Sequence, residues 1–230
     1  MDKHENNINV LRRSEEINPI IVLPNFLSNS EIKKIFDLCE EKEYVDAAVG
    51  SKSNNEKKHN LLTDHKIIDP YQGVIKRVRE TNIKWICMDD KSNWLYAKII
   101  QCINEVNAYN YGYILKHVEN FQFAEYTSQT KGFYAKHVDV GDRYLLENFL
   151  EIRKLSFSIQ LSDPDEYEGG ELRFYTGKKS MYTGKDEYDV ARKEKGTIIF
   201  FPSFILHEVT PVTKGTRHSL VSWVQGPNLL

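Results

Sequence analysis

Residues 195–226 read KGTIIFFPSFILHEVTPVTKGTRHSLVSWVQG. Three apolar stretches lie in this segment, at 197–201, 206–209 and 219–224. Each is too short for a helix and rich in β-branched and aromatic residues, so each is read as a strand. Lys195-Gly196 and Lys214-Gly215 punctuate them as turns. Upstream, residues 155–172 read LSFSIQLSDPDEYEGGEL, and Leu155, Phe157, Ile159 and Leu161 alternate with Ser156, Ser158 and Gln160. Strict alternation is the signature of a strand with unlike faces. Residues 172–175 form a further strand after the turn Glu168-Gly169-Gly170, and Thr183-Gly184-Lys185 is another turn. Several short strands at regular spacing predict a β-sandwich or barrel.

The front half has a different texture. Residues 1–18 are polar and read as a flexible arm. Residues 19–23 carry a short apolar strand. Ser28 and Glu31 stand at the spacing of a capping box. Ile32, Ile35, Phe36 and Cys39 then follow at i, i+3, i+4 and i+7, the apolar face of a helix. Residues 50–60 are a polar loop, and 83–88 form an apolar patch of open type. Trp94, Ala97, Ile100, Cys102, Ile103 and Val106 predict a second helix of about four turns. Trp85 and Trp94 are read as core, and the front half as α-rich. With no internal repeat, one domain over 19–230 is expected: helices packed on one side of a β core.

Composition excludes several classes. The 230 residues are 40% hydrophobic and 28% charged, which is ordinary for a globular domain. A net charge of −2 argues against a protein whose main work is gripping phosphate backbones. No apolar run approaches the roughly 18 residues of a membrane span. The first twenty residues hold no apolar core of a signal peptide. The three cysteines form no C-x-x-C pair, so a disulfide scaffold or a cysteine zinc site is not expected. A reducing, cytoplasmic setting fits these features. Oligomeric state is not readable.

Three polar elements in the β half point to chemistry. The first is His137-Val138-Asp139. Residues i and i+2 of a strand share a face, so both side chains can meet one metal. The dipeptide by itself is more often a hydrogen-bonded surface pair. The second is His207, which alone reads as a satisfied core or rim residue. Two histidines and one carboxylate, however, make the set that occupies one face of Fe(II) in non-haem oxygenases. Three coordination positions stay open, two for a bidentate 2-oxo acid and one for dioxygen. The third element is Arg217, with Ser219, Val221 and Trp223 on the same strand face. His218, Leu220, Ser222 and Val224 take the other. An Arg inside a β core is costly unless it meets an anion. The distal carboxylate of 2-oxoglutarate is suitable, with Ser219 adding a hydroxyl; an acidic residue at the rim is the alternative partner.

In combination these elements run in a fixed order: H-x-D, a histidine seventy residues on, then R-x-S ten residues later. The segments FAEYTSQTKGFYAKHVD (123–139), 155–172 and 195–226 resemble the Fe(II)/2-oxoglutarate-dependent dioxygenases of the prolyl/lysyl hydroxylase-like group. The PKHD-type hydroxylases are the nearer branch, with prolyl 4-hydroxylases as wider relatives. The resemblance covers roughly residues 120–226. It implies a double-stranded β-helix, or jelly roll, as the core at 120–226, with helical support at 19–119. It also implies His137, Asp139 and His207 as iron ligands and catalytic residues, and Arg217 as partner of the 2-oxoglutarate C5 carboxylate. Tyr126 matches a position whose hydroxyl helps bind that co-substrate, and Tyr134 a position lining the site. A straight strand would put Tyr134 and His137 on opposite faces, so a bend is needed there. Prolyl 4-hydroxylases proper commonly have Lys where Arg217 stands, which draws the chain towards the PKHD-type branch.

The implied cofactors are Fe(II), 2-oxoglutarate and O2, with ascorbate helpful. The implied reaction is hydroxylation with release of succinate and CO2, a peptidyl prolyl residue being the first candidate and a free amino acid or small molecule the alternative. Three rivals stand beside it: a non-catalytic jelly-roll binding module, a zinc hydrolase, and a nucleic-acid demethylase. The zinc reading leaves Arg217 and Ser219 without a role. The demethylase reading wants a second Arg where Trp223 stands. The acidic run 163–168 fails the EF-hand pattern and reads as a solvated turn. Lys57-Lys58 and Lys76-Arg77-Val78-Arg79 read as wet faces, one of which can steer an acidic substrate.

Overall fold

The computed structural model describes residues 19–46, 66–68, 75–140, 151–179 and 186–228. The expected arm at 1–18, the loop at 50–60, Lys57-Lys58 and the turn at 183–185 lie outside these residues.

The described chain begins with β1 (Ile21–Leu23) and helix α1 (Asn29–Glu40). The capping box forms as its spacing predicts. The Glu31 amide donates to Ser28 Oγ at 3.3 Å, and the Ser28 amide donates to the Glu31 carboxylate at 2.8 Å. Five short strands follow: β2 (Val45–Asp46), β3 (Lys66–Ile68), β4 (Ile75–Arg77), β5 (Arg79–Glu80) and β6 (Asn82–Ile86). Helix α2 (Asn93–Val106) runs into a π-helical turn at Asn107–Tyr111. Then come β7 (His117–Val118), β8 (Phe121–Thr127), β9 (Phe133–His137) and β10 (Glu151–Gln160). The chain finishes with β11 (Tyr167–Gly169), β12 (Leu172–Lys179), β13 (Asp186–Val190), β14 (Ile198–Pro202), β15 (Leu206–Val209) and β16 (Val212–Pro227).

These strands build two antiparallel sheets and no closed barrel, the double-stranded β-helix. The large sheet runs β1-β14-β10-β16-β8-β6-β2, with β7 and β11 also on β16. The small sheet runs β13-β12-β15-β9-β5, and β3 pairs β4 apart from both.

Strand alternation makes two cores. On β14, Ile198 and Phe200 face the helices, while Ile199 and Phe201 face the small sheet. On β10, Leu155, Phe157 and Ile159 join Ile35, Leu95 and Ile99 of the helices. Helices therefore cover one side of the large sheet, and the small sheet covers the other. At the joint between layers, the Leu27 amide donates to the Gly196 carbonyl at 3.0 Å. Gly196 has φ +81, and a Cβ there would sit 2.2 Å from the Leu27 carbonyl oxygen. Only glycine fits that approach.

Three expectations need correction. The front half is not simply α-rich: β1, β2, β6 and β7 extend the large sheet and β5 the small one. The residues left open at 83–88 largely form β6. On α2 the buried stripe is Leu95, Tyr96, Ile99, Cys102, Ile103 and Val106. Ala97 is exposed and Trp94 half-buried, because the stripe starts one residue after the tryptophan. Trp85 is exposed, since its neighbours Lys84 and Ile86 take the inward positions of β6.

Candidate active site

The small sheet brings the H-x-D motif and the distal histidine together. His137 ends β9 and pairs in register with His207 on β15. Asp139 follows, its amide held by the Ser203 carbonyl at 2.8 Å. His137 Nε2 lies 3.6 Å from Asp139 Oδ1, and His207 Nε2 lies 3.5 Å from Oδ2. One donor atom from each residue falls within 4.8 Å of the others. It is the one cluster of three such donors among the described residues.

Local hydrogen bonds set the imidazole tautomers. His137 Nδ1 sits 2.8 Å from the Ala135 carbonyl, and His207 Nδ1 sits 2.9 Å from the Ile205 carbonyl. A carbonyl only accepts, so each Nδ1 carries the hydrogen and each Nε2 is the nitrogen turned to the cluster. Burial pushes the His207 pKa down to about 4, partly opposed by Asp139, so this ring is neutral at pH 7. Burial alone would raise the Asp139 pKa. The two histidines and a hydrogen bond from Ser156 outweigh it and hold the carboxylate well below the usual range. Imidazole nitrogens and an ionised carboxylate are the donor chemistry that Fe(II) takes.

The bend required for Tyr134 is a β-bulge. His207 pairs with His137, but Val209 pairs with Tyr134, so three steps on β9 oppose two on β15. The extra residue turns Tyr134 to the His137 side. Their rings stack at 3.5 Å between centroids and 16° between planes. The Tyr134 pKa is pushed up to about 12 by burial, so the phenol stays neutral.

Arg217 comes from the opposite, large sheet. It is 2% exposed. Its Nη2 donates to Gln160 Oε1 at 3.0 Å and its Nη1 to Ser219 Oγ at 3.4 Å. Tyr167 is a further hydrogen-bond partner. Tyr126, its register partner on β8, places its ring 5.4 Å from the guanidinium carbon. Among the described residues no carboxylate pairs with it, so the rim-acid alternative finds no support there.

These groups line one cavity between the sheets, together with Ser158, Trp223 and Arg79. Arg217, Ser219, Val221 and Trp223 all face it, as strand alternation predicts. A wider cleft between α1 and the start of α2 is an open surface groove of lysines and carboxylates without the donor cluster. The acidic run 163–168 holds a capped turn at Pro164–Glu166.

Several site residues were not singled out by the sequence reading. Ser156, Ser158 and Gln160 were read only as the polar alternates of a strand, and all three are buried. Arg79 passed for part of a solvated charge run, yet it is 5% exposed. Its Nη2 donates to Gln122 Oε1 at 2.7 Å, and its guanidinium carbon lies 4.5 Å over the Tyr134 ring.

The jelly roll, the His-Asp-His cluster and an arginine that meets no carboxylate among the described residues are the features that the resemblance implies. Residues 121–225 match the family described as 2OG-Fe(II) oxygenase superfamily. A PKHD-type hydroxylase of Synechococcus sp. (strain JA-2-3B'a(2-13)) is 27% identical over 214 residues, 90% of this chain and 78% of that protein. A Pseudomonas putida prolyl-4-hydroxylase superposes with TM-score 0.59 at 18% identity, over 90% of this chain and 91% of that one. A Trichoplax adhaerens prolyl hydroxylase, solved with a peptide fragment of an oxygen degradation domain, gives TM-score 0.62 at 17% identity, over 90% and 83%. The family match over residues 121–225 and the similarity to hydroxylases support a 2-oxoglutarate-dependent dioxygenase, and the fold is shared with the prolyl-4-hydroxylase structures.

Proposed function

We propose that His137, Asp139 and His207 hold Fe(II), that Arg217 with Tyr126 and Ser219 holds 2-oxoglutarate, and that the enzyme hydroxylates a peptidyl prolyl residue. One observation carries this reading: the donor cluster and an anion-seeking guanidinium face the same cavity from opposite sheets. Iron and 2-oxoglutarate, when bound, supply the oxidation, with succinate and CO2 released. The protein's own residues do the rest. The Nδ1 hydrogen bonds aim both Nε2 atoms, and Ser156 keeps Asp139 charged. Gln160 and Ser219 fix the guanidinium so that it meets a carboxylate without rearranging. Tyr134 and Trp223 wall the cavity and limit water.

A peptide substrate is supported by the peptide bound to the Trichoplax neighbour. Arg rather than Lys at 217 favours the PKHD-type branch. The domain runs over 19–230, acts in the cytoplasm and is helped by ascorbate.

The test is succinate formation from 2-oxoglutarate with Fe(II) and ascorbate, wild type beside His137→Ala, followed by proline-containing peptides. Turnover that disappears in the variant supports the reading and excludes a zinc hydrolase. If neither Fe(II) nor 2-oxoglutarate binds, the reading fails in favour of a binding module.

A further inference from the structure

The chain treats its arginines in an order opposite to what desolvation favours. Half-buried Arg153 and Arg173 are each paired with a carboxylate at 2.6 Å, Glu119 and Glu171. The two deeply buried ones, Arg217 and Arg79, meet only neutral groups among the described residues. A buried guanidinium without a counter-charge is expensive, and the expense is recovered when an anion arrives. The co-substrate accounts for Arg217 and leaves Arg79 unexplained.

Arg79 lies on β5, the edge of the small sheet, in register with Tyr134. Its side chain reaches across the cavity to Gln122 on β8. Its Nε is buried and has no hydrogen-bond partner. It lines the same cavity as the donor cluster. Its guanidinium lies over Tyr134, whose ring stacks on His137. Gln122 and Tyr126, the β8 anchors of Arg79 and Arg217, are four residues apart, about 13 Å along a strand. One short diacid held at Arg217 therefore leaves Arg79 to a different anion.

We infer that Arg79 is a second anion subsite, that it binds a carboxylate of the primary substrate, and that it so orients the reacting carbon beside Tyr134 and the donor cluster. The substrate class is then a carboxylic acid: a free imino or amino acid, or a peptide bearing a carboxylate next to its target residue. This rests on the reading of the cavity as the iron and 2-oxoglutarate site.

The test uses the whole chain under nitrogen, with Fe(II) and saturating 2-oxoglutarate, and reads binding by ligand-observed NMR without turnover. The probes are N-acetyl-L-proline against N-acetyl-L-prolinamide, and benzoate against benzamide. The expected result is at least one acid binding about ten-fold tighter than its amide, the size of one charge-assisted hydrogen bond. That ratio falls to about one in Arg79→Gln and is partly kept in Arg79→Lys, which also serves if the Gln variant does not fold. Equal binding of acid and amide, no binding of either acid, or a ratio that survives in Arg79→Gln overturns the proposal. So does a change confined to 2-oxoglutarate affinity, which would assign Arg79 to the co-substrate. If 2-oxoglutarate itself fails to bind, the underlying site reading has failed instead.

Discussion

Asp139 and His207 show how neighbours decide a buried charge. His207 has its pKa depressed from 6.5 to about 4, so the folded state binds fewer protons than the unfolded one between those values. The stability linked to this ring is fully present above about pH 6.5 and is lost as pH falls towards 4. The melting temperature of metal-free protein should drop across that window, and His207→Gln should flatten the drop, as a fluorescence melt over pH would show. Asp139→Asn keeps the shape and removes the charge. With Asp139 as the proposed ligand, its loss exceeds the roughly 10–100-fold cost of losing a supporting contact, so Fe(II) affinity should fall at least about 100-fold in a metal titration. Arg217→Ala should weaken 2-oxoglutarate binding by about 10–100-fold and leave Fe(II) binding unchanged. Unchanged 2-oxoglutarate affinity would remove Arg217 from that role. His137, Asp139, His207 and Arg217 were legible in the sequence because such residues stand out among apolar strands. Ser156, Gln160 and Arg79 were not. Alternation says that a strand has two unlike faces, and it does not say whether the polar face meets water or a cavity.

Elements carry the second layer of specification. The strands at 206–209 and 219–224 and the cap of α1 were readable because each rests on local chemistry: period, turn residues and S-x-x-E. The α2 face was misplaced because Trp94 was taken as its anchor, and a stripe is fixed by what the helix packs against. The bend in β9 was expected only through the resemblance, because a bulge exists as a mismatch with β15 and leaves no local mark. One turn supports the site directly. Gly170 has φ +56, and a Cβ there would come within 2.9 Å of both Arg217 Cδ and Val212 Cγ2. Gly170→Ala should therefore displace the guanidinium. The expected outcome is a several-fold higher KM for 2-oxoglutarate, with Fe(II) affinity unaltered, read from succinate formation against co-substrate concentration. Ser28→Ala lies far from the cavity and tests the opposite case. Loss of the cap should cost about 1 kcal/mol and lower the melting temperature by about 2–4 °C, with no change in KM.

At the scale of the molecule, the site is divided between layers. The donor cluster belongs to the small sheet, and Arg217 belongs to the large sheet, which the helices cover. Apolar packing joins the sheets through Phe174, Phe201 and Val209, and the cavity interrupts that packing with polar groups. A ligand that touches both sides replaces the missing contacts and binds only the folded state. At 100 times its dissociation constant such a ligand stabilises by about 2.7 kcal/mol, or about 5–10 °C in melting temperature for a chain of this size. The division of the site predicts how two ligands share that gain. Fe(II) alone should raise the melting temperature of wild type and of Arg217→Ala equally, because its donors lie on one sheet. 2-Oxoglutarate added with Fe(II) should give a further rise in wild type and little in Arg217→Ala. In Asp139→Ala both rises should shrink, because a co-substrate that spans the cavity needs the metal at one end and the guanidinium at the other. A thermal melt of the three proteins with each ligand and with both decides the matter. A full 2-oxoglutarate shift in Asp139→Ala would mean that the co-substrate sits on the large sheet alone, and the two-sheet account of the site would then be wrong.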